Sequence, residues 1–150
     1  MAIGCGVAGS GELLGIKLVG LRRAIDSLEL EFAQTAAEFA RTDHYDEEGS
    51  TSAIDWIRHA CYMTSTTAGA CLAVGENLER LPESVQALKS GEIGFAHLIV
   101  MARTRNAVPN RFSESRLLEQ ARENSPGKFH HICRHFRHAA DPRGYAAEQA

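Results

Sequence analysis

The chain has little that would anchor it in a membrane, cross-link it or charge it for a polyanion. Its four cysteines, Cys5, Cys61, Cys71 and Cys133, are scattered over 150 residues with no Cys-x-x-Cys pair. A reduced, cytoplasmic chain fits that usage better than a disulfide framework. No apolar run reaches the roughly 18 to 20 residues of a membrane span, and no basic segment precedes the apolar residues at the N-terminus as a signal peptide would require. Positive charge is not in excess either. The formal net charge is -3, which lends the chain as a whole no affinity for nucleic acid, because such affinity rests largely on cations displacing condensed counterions. There is also no activated nucleophile, no paired acid and base, and no nuclease motif. Catalysis, a cofactor and a small-molecule substrate are therefore not expected of this chain.

Two motif-like stretches lack the context that would give them chemistry. Gly4-x-Gly6-x-x-Gly9 spells a dinucleotide fingerprint, but that loop must follow a strand and open a helix, and only three residues precede it. Residues 1–12 are expected to be a flexible glycine-rich tail. Arg41 to Ser50, RTDHYDEEGS, is acidic without the ligand order of an EF-hand and reads as a solvated connector.

What is present is helical periodicity. The composition, 44% hydrophobic and 23% charged, is that of an ordinary globular protein, and the length suits one domain. Charge is uneven: residues 1–75 hold 5 basic and 10 acidic side chains, residues 76–150 hold 11 and 9. Any anionic partner should meet the second half.

The chain is organised around Ser52 to Leu81. Ile54, Ile57 and Cys61 recur at i, i+3 and i+7, with Ser52 as an N-cap and Asp55 completing a capping box. Tyr62 and Met63 interrupt the pattern, and Thr64 offers a second N-cap with Thr67 three residues on. A second helix then carries Ala68, Cys71, Leu72, Gly75 and Leu78 on one face, leaving Ser65, Thr66, Gly69, Ala70 and Ala73 outside, and stops before Pro82. Two short helices joined by about four residues, with Ala68 and Gly75 where they approach each other, read as a helix-turn-helix. Such pairs also occur as plain packing units.

Further on, Val85 and Leu88 form a short apolar face, Gly91 closes a helix, and Ile93 to Ala102 begins another. The order Trp56-Ile57, Met63-Thr64, Ala68, Leu78, Leu81-Pro82, Ala87-Leu88, Gly91-Glu92-Ile93 and Ala140-Asp141-Pro142 resembles the 13E12 repeat family, the domain of unknown function 222. The resemblance covers about residues 14 to 145. It implies the N-terminal part of an actinobacterial protein whose HNH endonuclease domain, absent here, would lie beyond Ala150. The run from Thr64 to Ala102 is more loosely similar to the DNA-binding helices of ParB-type partition proteins, and His97 stands where those helices show a histidine. Both resemblances imply DNA as partner. This chain departs from the family in having no arginine on the second helix of the pair, where recognition helices bring cations to phosphates and bases.

Either side of this pair lie two more readings. Leu14, Leu18, Leu21, Ile25, Leu28, Phe32, Ala36 and Phe39 recur at steps of 4, 3, 4, 3, 4, 4 and 3, the mark of a long amphipathic helix. Gly15 and Gly20 weaken its first turns, so the firm part is expected from about Leu21. Residues 14–39 either pack along their own domain or form a seam for a homodimer. In the second half, Arg103 and Arg105 end one helix, Ser113 caps another that Ser125-Pro126-Gly127 breaks, and a last helix from Lys128 buries Phe129, Ile132, Cys133 and Phe136. That last helix sets His131, His135 and His138 at i, i+4 and i+7. One-turn spacing suits metal chelation, but no further Cys or His ligands complete a site, so the face reads as cationic together with Lys128, Arg134 and Arg137. For His97, capping or packing is the expected role.

These readings predict an all-α domain of six or seven helices over residues 13–145, with a tail at 146–150. The function expected is non-catalytic DNA binding. Thr64, Ser65, Thr66 and Thr67 would approach the duplex at a helix N-terminus, and Arg103, Arg105, Arg134 and Arg137 would hold phosphates. The alternative is a helical protein-interaction or dimerisation module.

Overall fold

A computed structural model describes residues 3–140, with side chains described for residues 9–139. The architecture is all-α. Among the described residues there are eight α-helices and no strand: α1 Ile3–Ala40, α2 His44–Glu47, α3 Ala53–Ala60, α4 Ser65–Asn77, α5 Pro82–Lys89, α6 Phe95–Ala107, α7 Glu114–Glu123 and α8 Pro126–Ala140, with a 3-10 turn at Leu78–Arg80 after α4. The helix beyond the expected six or seven is α2, a single turn inside the acidic connector. That connector is solvent-exposed as expected, with only Tyr45 and Ser50 half-buried, and it is tied to α1 and α3 by a few contacts. Glu48 accepts from the Trp56 indole at 3.2 Å and contacts His44 Nε2 at 3.1 Å, and Phe39 lies 4.5 Å from the Trp56 ring.

The first helix differs most from expectation. It runs back to Ile3, through the glycines for which a flexible tail was expected and well before Leu21, and spans about 57 Å at 1.5 Å per residue. Its buried stripe is Asp26, Leu30, Ala33, Ala36 and Ala37, rotated from the sequence-derived face. Ile25 and Leu28 of that face are exposed, while Phe32 and Phe39 are only partly buried. The rotation follows from close packing. Gly75 of α4 lies directly on α1, where a Cβ would collide with the Ala33 carbonyl oxygen and lie 2.9 Å from the Ala37 methyl. Gly75 thus serves the α1–α4 crossing rather than the α3–α4 approach, and Ala68 packs with both Ala36 and Ile57. Only small residues let two backbones come this close.

The α3–α4 pair forms with the expected caps. Ser52 Oγ accepts the Asp55 amide at 3.1 Å and Thr64 Oγ1 accepts the Thr67 amide at 3.1 Å. Asp55 does not reach back to the cap. Its carboxylate takes Arg58 at 2.9 Å instead, which lowers its pKa from the ordinary 3.8. Residues 61–64 join the helices through a turn in which Tyr62 has φ 55° and the Met63 amide bonds the Arg58 carbonyl at 3.1 Å. The same turn ends α5, with Gly91 at φ 78° and the Glu92 amide on the Ala87 carbonyl at 2.9 Å. Glycine is the usual occupant of this left-handed position; at the first turn a tyrosine holds it.

The second half closes the core, whose largest fully buried side chains include Phe129, Leu81, Leu98, Met101 and Leu118. Leu81 precedes α5 and has no polar side chain to cap it, so Glu114 at the start of α7 supplies the acceptor, taking both the amide and hydroxyl of Ser84 at 2.8 Å. Ser113 makes no side-chain cap of its own. The last helix starts two residues before Lys128, with Pro126 in its first turn and Ser125 Oγ taking the Lys128 amide at 3.3 Å. The expected turn at Asp141-Pro142 and the tail at 146–150 lie outside the described residues.

Candidate functional site

The geometry of α6 and α8 decides where cations gather. His97 anchors the start of α6: its Nδ1 accepts the Gly94 amide at 3.0 Å and its Nε2 meets the Asn124 carbonyl at 2.8 Å. The first bond needs a lone pair and the second a proton, so the ring is a neutral imidazole protonated on Nε2. Buried beside Phe129 at 5.8 Å, it is the capping and packing residue expected. Near the far end, Thr104 lines one cleft with Cys133 and Arg137 of α8, so the two helices run side by side in the same direction.

Between them lies a cleft of about 240 Å³ lined by Ile99, Val100, Arg103, Thr104, His130, Cys133, Arg134 and Arg137. No carboxylate lines it, and among the described residues none of its three arginines is in an ion pair. The contrast with other cations is plain: Arg22 is held by Asp26 at 2.9 Å, Arg58 by Asp55 at 2.9 Å and Arg122 by Glu92 at 2.7 Å. Guanidinium groups without internal carboxylates keep their donors for an external anion. Cys133, 1% exposed at the floor, is no nucleophile: burial pushes its thiol up to about 11.

The eight residues expected to contact DNA fall into separate places. Arg103, Arg134 and Arg137 share the cleft. Arg105 is drawn away to Asn77, its Nη1 donating to Oδ1 at 3.2 Å, in a network that also joins Asn106 and ties the C-terminal ends of α4 and α6 together. Thr64, Ser65, Thr66 and Thr67 are exposed at the start of α4, but the Thr64 hydroxyl is spent on Thr67 as amide acceptor and as donor at 2.9 Å. Thr67 borders a different, apolar groove with Ile25, Leu28, Phe32, Met63 and Cys71. On the same helix, Ala70 is buried rather than exposed.

Two residues of interest were not singled out from sequence. His130 lines the cationic cleft and stands i-4 and i-7 from Arg134 and Arg137, so helical spacing alone could have found it. Tyr62 is 95% exposed in its left-handed turn next to Thr64; its signal was the break in apolar spacing. His131 and His135 are exposed as expected. Among the described residues no group of three or more His, Cys, Asp or Glu side chains is placed to hold a metal ion, and no helix is long and apolar enough to cross a membrane. Compared with family models, curated proteins and solved structures, the chain matches none.

Proposed function

We propose that this chain is a non-catalytic module that binds and positions DNA through phosphate contacts in the α6–α8 cleft. The observation that carries the reading is the convergence of Arg103, Arg134 and Arg137 with His130 on one surface free of carboxylates. Local charge outweighs the net charge of -3 in this respect, since a phosphate interacts mainly with charges inside a Debye length of about 8 Å at physiological salt. The α3–α4 pair supports the reading in second place, as a helix-turn-helix whose α4 N-terminus presents Ser65 and Thr66. With no arginine on α4 to read bases, the affinity is sequence-independent. On the resemblance to the 13E12 repeat family, the module would serve an HNH endonuclease domain.

The test is a fluorescence-anisotropy titration of random duplex DNA at two salt concentrations. With three phosphate contacts, affinity falls about 40-fold between 50 and 200 mM salt; with one contact left in an Arg134→Ala/Arg137→Ala variant it falls about threefold. Arg122→Ala, which removes a guanidinium already spent on Glu92, serves as the control and leaves binding unchanged. Absence of binding at low salt would overturn the reading.

A second reading, a helical protein-interaction module, is favoured by a separate observation. Leu13, Leu14, Ile16, Leu18, Val19, Leu21, Ile25 and Leu28 on α1 are all between 42% and 69% exposed, a larger apolar surface than a monomer ordinarily leaves in water.

A further inference from the structure

The α6–α8 cleft is small for the positive charge it holds. Arg103 comes from one helix and His130, Arg134 and Arg137 from the other, and the space among them is about 240 Å³. At roughly 30 Å³ per water that is room for about eight waters, enough for one phosphate with part of its sugar and too little for a run of strand. The floor makes no competing demand on a ligand. The Thr104 hydroxyl is spent on the Val100 carbonyl at 2.7 Å, and Cys133 is 1% exposed. Other arginines are spent within the fold: Arg105 on Asn77, Arg122 on Glu92 and Arg58 on Asp55. Proteins that hold a duplex along its length spread about 6 to 10 phosphate contacts over a face. Here three guanidiniums converge on one recess instead.

Several cations without a carboxylate among them select the ligand with the most concentrated charge. A phosphodiester inside a strand has a single negative charge and two free oxygens. A terminal phosphomonoester has a charge of about -1.5 to -2 at neutral pH and three strong acceptor oxygens. Three guanidinium forks match three oxygens better than two. Shape favours the same group. A phosphate inside a strand is continued by sugar on both sides and must bridge the recess, whereas a terminal one is continued on one side only and enters it. Ile99 and Val100, half-buried in the same lining, suit the carbon face of the last sugar.

We propose that the α6–α8 cleft is a socket for the terminal phosphomonoester of a DNA strand, held by Arg103 from one side and by Arg134 and Arg137, with His130 beside them, from the other. The inference rests on the DNA-binding reading and narrows it from strand backbone to strand ends.

Fluorescence anisotropy on duplexes of one sequence, labelled at an internal base and ending in a 5'-phosphate, a 3'-phosphate or hydroxyls only, tests it. At about 50 mM salt a phosphorylated end is expected to bind about tenfold tighter than a hydroxyl end, and the two phosphorylated duplexes tell which end is taken. Arg103→Ala and Arg134→Ala/Arg137→Ala are each expected to reduce that preference below about twofold. Their thermal transitions should be retained, since Arg103 and Arg134 are exposed and Arg137 is half-buried. Arg122→Ala is expected to keep the preference. Equal affinity for phosphorylated and hydroxyl ends would overturn the socket and leave backbone binding standing. A preference that survives in both cleft variants would place the terminal phosphate elsewhere and overturn the assignment to this cleft. Inorganic phosphate displacing the duplex at micromolar concentration would make the ligand a free anion and overturn the strand-end assignment. No binding to any of the duplexes at low salt would overturn the DNA reading and this inference with it.

Discussion

The two halves of α1 have similar apolar content and opposite fates. From Asp26 to Ala40 the helix is docked, with Leu30, Ala33, Ala36 and Ala37 buried and the α4 backbone against it at Gly75. From Gly9 to Ile25 no described side chain is buried, although Leu13, Leu14, Ile16, Leu18, Val19 and Leu21 are as apolar as anything in the core. Hydrophobicity alone did not decide which half was covered. The docked half carries alanines on its contact face, which permit a close helix crossing, while the free half carries large side chains and touches the rest of the domain only along its last turns, where Arg23 lies against Gly91 and Ile25 borders α4. A surface that is apolar on several sides of one helix is more often that of a buried helix.

The comparison is broken most severely at the crossing. Gly75→Val should destabilise the domain by about 3 kcal/mol or more in a denaturant titration, since the new side chain meets the rigid Ala33 carbonyl rather than a movable side chain. A matched pair of truncations comes next. Leu30→Ala should cost about 3 kcal/mol by cavity formation, whereas Leu18→Ala should stay within about 0.5 kcal/mol when the chain is dilute. A cost for Leu18→Ala that grows with protein concentration would show that the free half is covered by a second copy.

Smaller effects sharpen the contrast. Gly20→Ala, in a stretch with nothing within 4 Å of the new methyl, should stabilise the free helix by about 0.5 to 1 kcal/mol, read as slower amide exchange over residues 13–25. The smallest effect lies in α3, which packs on the docked half. Arg58 holds the Asp55 carboxyl below its ordinary 3.8, so the folded state binds that proton less readily than the unfolded one. Its contribution is present above the ordinary value and is lost as pH falls through the lower folded value. Acid titration of unfolding should show Asp55→Asn flatter than the parent below about pH 4.

Much of the fold was legible because capping chemistry is local. Ser52 and Thr64 cap α3 and α4 with side chains that need only the next few amides, Gly91 marks the end of α5 by the φ it alone adopts cheaply, and spacing placed Phe129 and Cys133 in the core from α8, although Ile132 and Phe136 of the same expected face are only half-buried. The face of α1 was misread by one position because alanines at 33 and 37 carry a weak hydrophobic signal, and their value depends on a glycine some forty residues away. The candidate site was legible only as an inventory of arginines. That Arg103 joins Arg134 and Arg137 while Arg105 goes to Asn77 depends on how α6 rotates against α4 and α8. Position in sequence does not carry that rotation.

By itself the sequence determined that this protein is helical, where most of its helices begin, and that its cations collect in the second half, because propensity, capping and composition act over a few residues. Tertiary structure decided which half of α1 is covered, which arginines converge without a carboxylate among them, and that Glu114 rather than a neighbouring residue caps α5. Those outcomes depend on distances between segments far apart in the chain, and such distances exist only once the helices have packed.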